Sequence, residues 1–215
     1  MIYYLFMRSG RKKPATFTQS ARRAQIVACA IEVIAEIGWA QTSIRKIADR
    51  VGVAMSAVLY HFGNKDNLVD AIVEEMYRTA LAIVVPAVTA ETTASGKLNA
   101  YIRANVAYFD THRVHLTALT QINASYQPSE GRSFAELGLS PELSEELAAL
   151  DPTAILAAGQ RDREFGDFPV PSMAIALRGA VNAVVEKILR DPDFDAPAYG
   201  EDLVAIFGRA VGVRR

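Results

Sequence analysis

The chain has 215 residues, 51% of them hydrophobic and 22% charged, a balance that excludes disorder over most of its length. Its single cysteine, Cys29, excludes an intrachain disulfide, and with three histidines a zinc site would have to draw on carboxylates, so no metal or cofactor is expected. The net charge of −1 conceals an asymmetry: residues 8–65 carry ten Lys or Arg against three acids, which leaves an acidic remainder. A basic front with an acidic back fits a polyanionic partner at one end only.

The opening Met1 to Met7 is apolar but stops at Arg8, and basic residues follow it, the reverse of a secretory signal. We expect Met7 to be the true start, with no membrane partner, because no apolar run reaches the ~20 residues of a span. A cytoplasmic location fits the cysteine content. Arg8 to Pro14 combines Gly, Pro and four bases, and reads as a mobile arm suited to phosphates or a minor groove.

From Ala21 to Ile37, Ile26, Ala30, Val33 and Ile37 recur at helical spacing, and Gly38 closes the helix. Thr42 and Ser43 are N-cap residues for a short helix from Ile44 to Val51. Gly52 ends it, a third helix runs from Met55 to Phe62, and Asn64 caps a fourth. Two short helices joined by a tight glycine turn form a helix-turn-helix, with Ala48 small enough for a close crossing and Val53, Val58 and Phe62 facing inward. The outer face of the third helix is then free for a DNA major groove about 12 Å wide.

The stretch Gly38 to Leu68, GWAQTSIRKIADRVGVAMSAVLYHFGNKDNL, resembles the DNA-binding domain of the tetracycline-repressor (TetR) family. The resemblance rests on the Gly-Trp pair, Thr-Ser-Ile, Ile-Ala-x-x-Val-Gly-Val, Tyr-His-Phe and Gly-Asn-Lys-Asp-x-Leu, in order and at matching spacing. It implies that Thr42 bonds a phosphate and that Arg45 reaches a phosphate or a guanine edge. It also implies that Met55, Ser56, Ala57 and Leu59 face the groove, that Tyr60 and His61 anchor phosphates, and that Lys65 adds charge at the start of the fourth helix. Two departures stand out. Leu59 replaces the tyrosine of many relatives, with the aromatic moved to Tyr60, and Ser56 is the only hydrogen-bonding side chain between Ala54 and Leu59. Base reading would then lean on thymine methyl groups and Arg45.

The fourth helix is predicted from Lys65 to about Val85, ended by Pro86, with Thr89 to Gly96 as a polar link. Helices follow over Lys97 to Asp110 and Arg113 to Tyr126, then a loop over residues 127–132. Further helices span Ser140 to Leu150, Asp151 to about Glu164, Ser172 to Arg190 and Tyr199 to Val211. The fold is therefore all-α. A basic arm (1–19) leads into a three-helix helix-turn-helix DNA-binding domain (20–66), and a helical domain for effector binding and dimerisation follows (67–215).

The apolar stripe of Ser172 to Arg190 is wider than one core face needs, and Ala176, Gly179, Ala180 and Ala183 allow close approach. With the last helix it suggests a homodimer, and in the TetR family the last two helices pair across a two-fold axis. Gln160 to Phe165 loosely fits a Gly-Gln-x-x-Gly-Glu-Phe pattern of some members, with Arg163 in place of the second glycine. An effector pocket would be lined by Tyr101, Asn105, Phe109, Thr117 and Gln121, with Thr120, Asn123 and Tyr126 as further candidates. His112 and His115 have a metal-compatible spacing but are expected at solvent.

These features point to a repressor on a palindromic DNA operator, released by a small-molecule effector. A ligand-independent DNA binder is the alternative. An enzyme is the weaker one, because no phosphate loop, nucleophile elbow or HExxH pair is present in the sequence.

Overall fold

The computed structural model describes residues 17–126 and 140–212, and the regular elements among them are all helical. α1 (Phe17–Ile37) turns its buried stripe of Ile26, Ala30, Val33 and Ile34 inward. It starts four residues before the predicted Ala21, because Phe17 to Ser20 bury nothing and so add nothing to an apolar period. Gly38, at φ 78°, closes it with its N–H on Ile34 O at 2.9 Å. A single 3-10 turn, Trp39–Gln41, leads to α2 (Ile44–Val51), whose N-cap is Ser43: its Oγ accepts from Lys46 N at 3.2 Å. Such a cap contributes about 1 kcal/mol.

Gly52 takes the left-handed conformation (φ 77°, ψ 37°), which a Cβ would strain. Its N–H and that of Val53 both donate to Ala48 O at 3.0 Å, so the chain turns sharply into α3 (Met55–Phe62). Asn64 then caps α4 (Lys65–Thr89), accepting from Asn67 N at 2.8 Å. Ile26, Ile34, Ile47, Val58, Leu68 and Ile72 are fully buried together in this head. Each contributes roughly 1.5–3 kcal/mol of burial.

α4 passes through Pro86 rather than ending before it. The proline lies in the last turn, where it forfeits one backbone bond, and Ala90 N still closes on Pro86 O at 3.1 Å. α5 (Ala94–Thr111) starts three residues earlier than predicted, because Thr93 Oγ1 accepts from Gly96 N at 2.9 Å and Glu164 accepts from Ala94 N and Ser95 N. α6 (Arg113–Ser125) follows, then α7 (Pro141–Ala149), capped by Ser140, and α8 (Pro152–Arg161), capped by Asp151.

α8 stops at Arg161, short of the predicted Glu164. Arg163 takes φ 61°, and the N–H groups of Glu164 and Phe165 both return to Gly159 O, at 2.9 and 3.0 Å. Arg163 thus occupies a left-handed position, which explains why a glycine suits that place in the pattern. α9 (Val170–Arg190) and α10 (Ala196–Val211) also begin early, with Pro171 and Pro197 in their first turns. Leu98, Ile102, Leu156, Leu177, Val181, Leu203 and Phe207 form the core of this body.

Two helices belong to both cores. α4 begins in the head with Leu68, Ile72 and Met76 and ends in the body with Val84 and Val88. α6 sends Ala118 and Ile122 into the head, with Tyr126 just beyond its end, while Leu116 packs on the body. Residues 17–19 of the predicted arm (1–19) belong to α1, and the rest of the arm and the 127–132 loop lie outside the described residues.

Candidate nucleic-acid interface and ligand cavity

α3 is held by its inner residues and bare on its outer side. Val58 and Phe62 are buried, whereas Met55 is 44%, Leu59 37% and Tyr60 74% exposed, a rare display of large apolar side chains on a short helix. Ser56 is exposed beside them, and Ala57 and His61 are half-buried. Gln19 of α1 donates to Tyr60 Oη at 3.4 Å. Arg45 and Lys46 stand exposed at the start of α2, whereas Arg50 is paired bidentately with Glu36. Arg23 of α1 lies 5.1 Å over the Phe62 ring.

Thr42 and Lys65, both expected at phosphates, each make a bond within the head. Thr42 is 3% exposed and its hydroxyl donates to Gly38 O at 2.8 Å. Lys65 Nζ donates to Thr42 O at 2.9 Å and sits 3.8 Å over the Trp39 ring. Burial lowers the Lys65 pKa, with Asp66 opposing. Trp39 in turn meets Tyr126 edge-on at 5.3 Å, and Tyr126 Oη donates to Asp66 at 2.9 Å. This group locks the end of α6 against the turn before α2.

A cavity of about 520 Å³ opens among α4, α5, α6, α8 and α9. Tyr101, Asn105 and Phe109 line it, as does Thr120. Thr117 and Gln121 do not. Thr117 returns its hydroxyl to Arg113 O at 2.9 Å, and the Gln121 amide rests against Gly38 on the head side of α6. Tyr126 belongs to the head, as described above, and Asn123 is exposed. Each lies on a face of α6 turned away from the cavity, a distinction that a polar residue on a short helix does not announce.

The expectation of solvent-exposed histidines also fails. His112 is half-buried and stacks on Tyr108 at 4.9 Å, and His115 is half-buried in the cavity wall. The turn between α5 and α6 folds both rings back onto α5. Burial lowers the His115 pKa, with His112 adding to it. Tyr108 donates to Met76 O at 3.1 Å, and burial, with Tyr77 adding, pushes its pKa up to about 12. Among the described residues no group of three or more His, Cys, Asp or Glu could hold a metal.

The cavity's charged pair was not foreseen. Asp151 Oδ2 accepts from Arg178 Nη1, and Asp151 Oδ1 accepts from Thr153 N at 2.8 Å. In the sequence Asp151 marks only the start of a helix. The available signal for Arg178 was its isolation, since it is the sole charge between Val170 and Val185 in an apolar helix. Burial raises the Tyr101 pKa, Arg178 opposing and Asp151 adding. Its hydroxyl is therefore neutral and able to donate at ordinary pH.

Residues 26–72 match the family described as bacterial regulatory proteins, tetR family. Over this N-terminal stretch the chain is similar to the DNA-binding domain of the TetR family. A tetracycline repressor protein, class G, from Vibrio anguillarum is 28% identical over 123 residues, 56% of this chain and 59% of that protein. The chain spans about half the length of the curated relatives it matches. Solved structures show the TetR fold across nearly all of it. A tetR-family regulatory protein from Rhodococcus RHA1 covers 90% of this chain and 98% of its own at TM-score 0.66 and 23% identity. The transcriptional regulator FadR from Bacillus subtilis, in complex with stearoyl-CoA, covers 87% and 98% at TM-score 0.73 and 19% identity.

Within the TetR match lie Arg45 and all of α3, with its exposed Met55, Leu59 and Tyr60. The cavity lies mostly C-terminal to the match, so its lining is read from this chain's own geometry. No helix among the described residues is long and apolar enough to cross a membrane.

Proposed function

We propose that this protein is a sequence-specific, DNA-binding transcriptional regulator, a repressor released from its operator by a small molecule. The observation that carries the reading is the outward face of α3, with Met55, Ser56, Leu59 and Tyr60 presented on a helix whose other side is locked into the head. Exposed apolar side chains there suit thymine methyl groups, and Arg45 one helix earlier supplies a bidentate donor. In this reading residues 1–16 form an arm ahead of α1. Residues 20–66 read DNA, and residues 67–215 bind the effector and dimerise.

The dimer forms through α9 and α10. Ile175 is 64% and Ile206 49% exposed on these helices, and nothing lies within 4 Å of where a Cβ on Gly179 or Gly208 would sit. Apolar side chains flanked by open glycines favour helix-on-helix contact across a two-fold axis. That pairing would set two α3 helices about 34–36 Å apart on a palindrome. The cavity, at about 520 Å³, is within the range for a drug-sized ligand. The named relatives are repressors or regulators, which favours a cytoplasmic regulator over an enzyme.

The test is gel mobility of duplexes from the DNA upstream of the gene, at two salt concentrations. A specific duplex should bind with Kd on the order of 10⁻⁸–10⁻¹¹ M at physiological salt, weakening steeply as salt rises. Arg45→Ala should cost about 1–3 kcal/mol of discrimination. A protein that ignores every duplex at low salt sinks the proposal.

A further inference from the structure

The cavity lining holds an ion pair, Asp151–Arg178. Tyr101 and Asn105, one helical turn apart on α5, face the Asp151–Arg178 pair from α8 and α9. α4 and α6 contribute Met76, Leu81, Leu116 and Leu119 to the lining, together with Tyr77, His115 and Thr120. Around the ion pair the hydrogen-bonding capacity is unevenly spent. Each Asp151 oxygen accepts one bond, from Thr153 N and from Arg178 Nη1 respectively. Asn105 Nδ2 donates to Tyr101 O at 2.7 Å. Arg178 Nε and Nη2 and the Tyr101 hydroxyl donate to no group among the described residues. What remains is a set of donors without acceptors, beside a charge pair that is already neutral.

A cationic ligand would face a guanidinium, and the carboxylate beside it is already neutralised by that guanidinium. An anionic one would have to share that guanidinium with Asp151 while losing its own hydration, a penalty that a shared partner offsets poorly. A neutral oxygen meets neither obstacle and satisfies the spare donors.

We infer that the effector is an uncharged amphiphile, an apolar chain or ring system bearing a carbonyl or ester oxygen that accepts from Tyr101 and Arg178. The inference rests on the effector reading above and adds the chemical class. Tyr101 and Arg178 then set specificity, while Met76, Leu81, Leu116 and Leu119 hold the hydrocarbon.

Three probes sharing one chain length separate the options: methyl dodecanoate, dodecanoate and dodecylammonium, each below its aggregation concentration. Isothermal titration of the full-length protein should find the ester bound at least tenfold more tightly than either ion. Tyr101→Phe and Arg178→Met should each weaken the ester about tenfold. Because Arg178 also supports Asp151, Tyr101→Phe serves as the less disruptive variant if Arg178→Met misfolds. Tighter binding of either ion, no binding of the ester, or an ester affinity unmoved by Tyr101→Phe would overturn the assignment. Gel mobility on the same samples tells the two failures apart. Duplex binding without an ester response defeats the ligand class alone, whereas absent duplex binding defeats the regulator reading.

Discussion

Gly159→Ala tests the packing that orders the α8–α9 connection. A Cβ at this position would fall 2.1 Å from Phe165 Cδ2, 2.4 Å from Cε2 and 2.7 Å from Cγ. Non-bonded carbons settle at about 3.5–4.0 Å, so either the ring or the helix must move by more than an ångström. Neither is free to do so. Phe165 is 5% exposed, and its N–H is tied to Gly159 O at 3.0 Å, which fixes the ring relative to the very residue that it would have to leave. Overpacking typically costs 1–3 kcal/mol, and with both sides held we expect about 2–3 kcal/mol. For a chain of this size that is a fall in melting temperature of roughly 4–12 °C. Calorimetry at one fixed protein concentration measures it, since a dimer's melting depends on concentration. Phe165→Leu should relieve the clash, leaving the double variant less destabilised than the sum of the singles by about 1–2 kcal/mol. A Gly159→Ala protein melting within about 1 °C of the parent would refute the reasoning.

Arg163→Gly should raise stability by about 0.5–1 kcal/mol in urea titration, because φ 61° penalises a side chain more than glycine's extra freedom penalises the fold. Ile122→Ala should cost about 2–5 kcal/mol by the same measurement, since Ile122 is fully buried where α6 enters the head. Burial, with His112 adding, lowers the His115 pKa, so the unfolded chain takes up that proton first as the pH falls. The stability held above about pH 6.5 is therefore lost as the pH drops through the folded value, and His115→Gln should flatten melting temperature against pH in that window. A glutamine variant with the parent's slope between about pH 5 and 7 would count against it.

The head was legible because its signals are local. Gly52 must be left-handed, Ser43 and Asn64 cap the helices that follow them, and the stripe of Ile26, Ala30 and Ile34 has a clean period. The helix starts were less legible, since Phe17 to Ser20 and Val170 contribute little to any buried stripe. Pro86 misled because a proline's cost depends on how much helix remains after it, and here only one turn does. Tyr101, Asn105 and Phe109 reach the cavity as one face of α5, whereas Thr117 and Gln121 were placed there only by polarity. The Asp151–Arg178 pair spans 27 residues and arises from tertiary packing, which no local pattern encodes. Thr42 and Lys65 also bond the turn before α2, and the Lys65 contact joins distant residues that no local pattern pairs.

Trp39 is the sole tryptophan in the chain, and it sits where the cation of Lys65 and the ring of Tyr126 converge. Indole emission is quenched or shifted by such neighbours, so the protein carries a built-in optical gauge at the junction of its two cores. Any compound that prises α6 away from the head would register as a change in intensity or wavelength, without a dye and without DNA. Compound collections could be screened on that signal before an operator is known.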